Sequence, residues 1–63
     1  MTPDEIYNII TSENVKDDIV YVSERESEKP LGVVLTWIKD RFGYSKIDAY
    51  PIAEKICKFY GLL

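Results

Sequence analysis

One cysteine, Cys57, and no histidine stand among the 63 residues, and this sets the first limit on the chemistry the chain can perform. A zinc site needs several Cys or His ligands, so a lone thiol builds none. Cys57 could act as a nucleophile only with a base to draw off its proton, and no imidazole exists to do so. It follows Ile56 in an apolar stretch, which reads as a buried structural cysteine. General acid–base work would fall to a tuned carboxylate pair in a pocket. The acids instead cluster in polar segments, where they are expected to stay solvated. Gly32, Gly43 and Gly61 are too far apart for a phosphate-cradling loop. A chain this short also has little room for a deep cleft. These residues exclude an enzyme and imply no cofactor and no metal.

What remains is contact chemistry. Glu24-Arg25-Glu26-Ser27-Glu28 is an acidic run that either docks on a basic partner or lies in a solvated loop. Trp37, Phe42, Tyr44, Tyr50, Phe59 and Tyr60 could include a stacking platform for bases. Trp37, Phe42 and Phe59 fall on apolar faces and read as core. Tyr44 and Tyr50 flank a turn and are the better contact residues, because exposed tyrosine is favoured at interfaces. With Lys46, Lys55 and Lys58 and with Glu24, Glu26 and Glu28, they make up the candidate partner-binding residues.

The elements that must position these groups belong to one small domain, residues 1–63. A chain of this size buries only about 60% of its unfolded surface, and no disulfide or metal can staple it. A hydrophobic content of 46% is enough for the core to hold the fold alone. The formal net charge of −3 hides an asymmetry. Residues 1–30 carry eight acids against three bases, whereas residues 31–63 carry three acids against five bases. Met-Thr-Pro-Asp-Glu lacks the basic start and apolar run of a signal peptide. No apolar stretch approaches the roughly 18 residues that span a membrane. A single free cysteine then points to a reducing, cytoplasmic compartment.

Thr2-Pro3-Asp4-Glu5 is a capping-box helix start, and Ile6, Ile9 and Ile10 continue it as one apolar stripe to about Thr11 or Ser12. Ile19-Val20-Tyr21-Val22 is β-branched and aromatic and predicts a strand, with Ser23–Lys29 as an exposed loop at the tip of an arm. Leu31 to Phe42 is read as a helix from Leu31, Val34, Leu35, Ile38 and Phe42. The competing reading pairs Val33–Ile38 with Ile19–Val22 as a hairpin. Gly43 sits where a helix C-terminus takes a left-handed residue. The last helix starts at Ser45 or at Asp48. Pro51 fits the first turn if Asp48 is the cap and should kink the helix if Ser45 is. Ile52, Ile56 and Phe59 form its apolar face, Gly61 ends it, and Leu62-Leu63 should fold back on the core. The expected fold is mainly α: three helices, a C-terminal helix-turn-helix, and a short β-like arm between the first two helices.

Phe42-Gly43-Tyr44-Ser45-Lys46, leading to Ile56-Cys57-Lys58-Phe59-Tyr60-Gly61-Leu62-Leu63, resembles the helix-turn-helix core of winged-helix domains. There a Phe-Gly-x-Ser-Lys turn enters the recognition helix and Gly-Leu-Leu leads out of it. The order of elements also resembles a DEP domain, a winged-helix relative used for protein and membrane docking. Asp4–Ile10, Ile19–Glu28, Val33–Phe42 with its Trp37-Ile38 pair, and Ala49–Leu63 match its parts in turn. The chain departs from the pattern in two places. No residues follow Leu63 to form a wing hairpin. The recognition helix would begin Ile47-Asp48-Ala49-Tyr50-Pro51-Ile52, without Arg, Asn or Gln to read base edges.

Two functions are therefore expected in order. The first is a small non-catalytic module or regulator, of the kind compact viral or mobile genomes encode, docking on another protein. The alternative is a helix-turn-helix that binds DNA through Lys39, Arg41, Lys46, Lys55 and Lys58, more plausible as a homodimer.

Overall fold

A computed structural model describes all 63 residues and contains four helices and no strand: α1 (Pro3–Ser12), α2 (Lys16–Arg25), α3 (Pro30–Phe42) and α4 (Lys46–Phe59). The mainly helical class is as expected, with one helix more than the sequence reading allowed.

α1 begins as its residues dictate. The Glu5 N–H donates to Thr2 Oγ1 at 3.3 Å and the Thr2 N–H donates to Glu5 Oε1 at 3.0 Å, so the capping box satisfies two orphan donors. Ile6 and Ile10 face inward and are buried.

α2 replaces the expected β-like arm. Val15, Ile19 and Val22 recur at i, i+4 and i+7, and they form the stripe that turns to the core, with Ile19 fully buried. Asp17 and Asp18 lie in the first turn and Arg25 in the last, each complementing the helix dipole. A lone strand would leave its backbone groups unpaired, whereas a helix satisfies its own. That requirement overrides the β propensity of Ile19–Val22. Of the exposed loop expected over Ser23–Lys29, residues 26–29 are an exposed turn, but they cap no β-like arm. Ser23 to Arg25 complete α2, and a short turn follows, with Ser27 in the left-handed region at φ 52°. The Glu28 N–H donates to the Ser23 carbonyl at 3.0 Å, and the Ser23 hydroxyl donates to the Glu28 carbonyl.

α3 is a helix throughout, so the Val33–Ile38 hairpin does not form. Pro30 occupies its first turn, and Gly43 closes it at φ 72° with its N–H on the Lys39 carbonyl at 3.0 Å. Between Sequence positions Ser45 and Asp48, the cap of α4 is Ser45, whose Oγ accepts from the Asp48 N–H at 3.2 Å. Pro51 is thus inside the helix and cannot donate to Ile47. Both residues are exposed, so water can reach the freed carbonyl. The helix ends in a Schellman pair: Leu62 N–H to Cys57 O at 2.8 Å and Gly61 N–H to Lys58 O at 3.1 Å. Leu62 packs against the core, but Leu63 does not and stays exposed.

α4 is the central element. It packs on both α3 and α1, while α2 packs on α3. Ala49, Ile52, Ala53, Ile56 and Cys57 supply its buried face, with Tyr60 just beyond. Trp37 and Phe42, expected in the core, are only half-buried, and Phe59 is 57% exposed. The aliphatic side chains already fill the centre, so these rings lie over its rim. No buried polar side-chain atom lacks a partner.

Candidate docking surfaces

The helix-terminal residues singled out from sequence do not form one site. Lys46 and Tyr50 share the outer face of the first two turns of α4 with Ile47 and Pro51. Ile47 is 84% exposed and Tyr50 43%, so this face offers apolar surface to solvent. Tyr44 precedes it, half-buried, and its hydroxyl donates to the Met1 carbonyl at 2.6 Å. Lys58 lies twelve residues beyond Lys46, about 18 Å along the helix.

The bases of the C-terminal half are divided rather than pooled. Arg41 makes a bidentate pair with Glu13, both bonds 2.8 Å. This holds the Glu13 carboxyl below its ordinary range and pushes the Arg41 guanidinium up. Lys55 turns to α1, 3.8 Å from Asp4 Oδ1 and 4.8 Å from the centre of the Tyr7 ring. Lys39, Lys46 and Lys58 have no ion-pair partner.

The acidic residues occupy a third region. Glu24 is exposed on α2, and Glu26 pairs with Arg25 at 3.2 Å. Glu28 folds its side chain over Gly32, where any Cβ would collide with the carboxylate.

A surface that the sequence reading missed lies along α3. Two clefts flank Trp37. One, of about 320 Å³, is lined by Ile10, Glu13, Val15, Trp37, Asp40 and Arg41. The other, of about 160 Å³, is lined by Val22, Glu26, Glu28, Val33, Thr36 and Trp37. The larger reaches the lower end of the size range of ligand sites, about 300 Å³. Val33, Trp37 and Arg41 follow at i, i+4 and i+8, and this spacing was the only signal in the sequence. Ile10, Glu13 and Val15 come from the end of α1 and the turn that leads into α2.

Cys57 is fully buried, and burial pushes its thiol above the usual cysteine value. No group of three or more His, Cys, Asp or Glu side chains is placed to hold a metal ion. No helix is long and apolar enough to cross a membrane. Comparison with protein-family models, curated proteins and solved structures returned no match. The class defined by fold and surface is a small four-helix domain with an exposed apolar helix face and an aromatic cleft.

Proposed function

We propose that the chain is a small non-catalytic interaction module that docks on another protein through the outer face of α4. The observation carrying this reading is Ile47, 84% exposed on the same face as Tyr50 and Pro51. A tyrosine beside solvent-exposed aliphatic surface is the composition of an interface centre. Lys46 stands at the edge of this face, where a charge steers approach more than it adds affinity. In the winged-helix resemblance, α3, the Gly43 turn and α4 make up the helix-turn-helix, with α4 as its recognition helix. A regulator acting by docking fits a recognition helix whose first turns carry Ile47, Asp48 and Tyr50. The buried, protonated Cys57 is consistent with a non-catalytic role, and a lone free thiol with the cytoplasm.

The test uses the tagged chain as bait in its native host, compared with an Ile47→Asp, Tyr50→Ala variant. Both positions are exposed, so the variant should keep the wild-type circular dichroism spectrum and melting temperature. The reading requires a protein retained by wild type and lost with the variant. Retention of no protein, or equal retention by both baits, overturns it.

A second reading, binding to nucleic acid, is favoured by the unpaired Lys39, Lys46 and Lys58. The bidentate pairing of Arg41 with Glu13, just past α1, weakens it by occupying one cation, while Lys55 only approaches the exposed Asp4 of α1.

A further inference from the structure

The two clefts on either side of Trp37 differ from the α4 face in charge. Their walls hold four carboxylates, Glu13, Asp40, Glu26 and Glu28, against one guanidinium, Arg41. That guanidinium is saturated by its bidentate bond to Glu13. Glu26 has only the exposed Arg25 beside it, whereas Asp40 and Glu28 have no ion pair. Two carboxylates without an ion pair, Asp40 and Glu28, therefore each line one of the two clefts that share the half-buried Trp37. Ile10 and Val15 provide the apolar wall of the larger cleft, and Val22 and Val33 that of the smaller.

We propose that these paired clefts receive a basic, apolar-anchored segment of a partner protein, an aliphatic side chain entering beside Trp37 and lysine or arginine side chains meeting Asp40 and Glu28. The aliphatic group is matched by the apolar walls. Each cation gains a carboxylate and, at the indole face, the ring's negative quadrupole. An acidic or purely apolar segment would meet uncompensated carboxylates. From Val33 to Arg41 the clefts run about 12 Å along α3, two turns of a docked helix. This proposal rests on the reading of the chain as a protein-docking module, but it places the contact on α3, away from Ile47 and Tyr50.

Trp37 is the sole tryptophan, so its emission reports this site directly. The probe is a blocked, fluorescein-labelled peptide of about twelve residues with leucine and lysine at helical spacing, long enough to cover the clefts. It is titrated against the full chain by label anisotropy, and an unlabelled copy is followed by Trp37 emission. The expected result is one saturable transition in both signals, weakened at least about tenfold when glutamate replaces each lysine and weakened again by added salt. An Asp40→Asn, Glu28→Gln variant, both positions exposed, should bind about fivefold more weakly or worse at unchanged melting temperature. The Ile47→Asp, Tyr50→Ala variant should bind the peptide as wild type does. The proposal fails if no transition appears, if anisotropy changes while Trp37 emission does not, if the glutamate peptide binds equally, or if Asp40→Asn, Glu28→Gln leaves affinity unchanged. Loss of peptide binding in the Ile47→Asp, Tyr50→Ala variant would move the site to α4, overturning this proposal while leaving the docking reading in place.

Discussion

The Tyr60 hydroxyl donates to the Ile10 carbonyl at 2.8 Å, tying the end of α4 to the last turn of α1 across fifty residues. The same oxygen accepts the Val15 N–H at 3.2 Å. Val15 caps α2 and has no side-chain cap of its own. One phenol thus closes the C-terminus of one helix and the N-terminus of the next, and it is the only aromatic ring that is buried.

Replacing Tyr60 by Phe should keep the ring's packing and remove only this bridge. The Val15 donor and Ile10 acceptor then lose their shared partner, at about 1–3 kcal/mol. For a domain of this size each kcal/mol lowers the melting temperature by about 4–8 °C. Thermal unfolding of Tyr60→Phe followed by circular dichroism measures the loss, and an unchanged midpoint would show that water replaces the phenol.

Two glycine substitutions should differ, one destabilising and the other not. Gly43 lies at φ 72° with open space around a Cβ, so Gly43→Ala meets no clash but forces alanine into the left-handed region. That costs about 1–2 kcal/mol. Gly32 has no such backbone demand, and an added methyl meets only the movable end of Glu28. Alanine favours a helix over glycine by about 1 kcal/mol, so Gly32→Ala should be neutral or stabilising. Urea midpoints of the two variants, compared with wild type, decide both signs.

The parts of the fold legible in the sequence are those whose causes are local. Thr2-Pro3-Asp4-Glu5 carries its own cap and Gly43 its own backbone demand, so both were found. Ile19–Val22 reads as a strand because β-branched propensity is visible in four residues. The stripe Val15, Ile19, Val22 gains its meaning only from the α3 surface that it covers. Trp37 reads as core from sequence because its spacing on α3 is apolar. Its actual place, between a cleft shared with α1 and one shared with α2, depends on helix packing that no local pattern encodes. The acid–base pairs have the same origin: Arg41 and Glu13 are 28 residues apart, and their meeting removes a cation from the basic half.

The Glu13–Arg41 pair should give a pH-dependent share of stability. Bonding to Arg41 lowers the folded-state pKa of Glu13 below its ordinary value of 4.5. A depressed carboxyl pKa contributes stability that is fully present above the unfolded value and is lost as pH falls through the folded one. The difference in urea midpoint between wild type and Glu13→Gln should therefore be present at neutral pH and disappear in acid below 4.5. Both partners are well exposed, so the difference is small and shrinks further in high salt. A gap that persists unchanged into strong acid would assign it to something other than the ion pair.

The nucleic-acid reading makes the sharpest contrary prediction. A duplex-binding face works by releasing counterions, and the slope of log affinity against log salt is about −0.9 per phosphate neutralised. With Arg41 bonded to Glu13 and Lys55 directed toward Asp4, Lys39, Lys46 and Lys58 are the bases of this half without an acidic neighbour in ion-pair range. Lys46 and Lys58 stand about 18 Å apart along α4, and Asp48 and Glu54 lie between them in sequence. Labelled duplex and single-stranded DNA should therefore show no anisotropy change at low salt. Binding with a slope near −3 that weakens in Lys46→Ala and Lys58→Ala would show that the three free lysines converge on a backbone. The outer face of α4 would then be a phosphate-tracking surface, with Ile47 and Tyr50 inserted beside it.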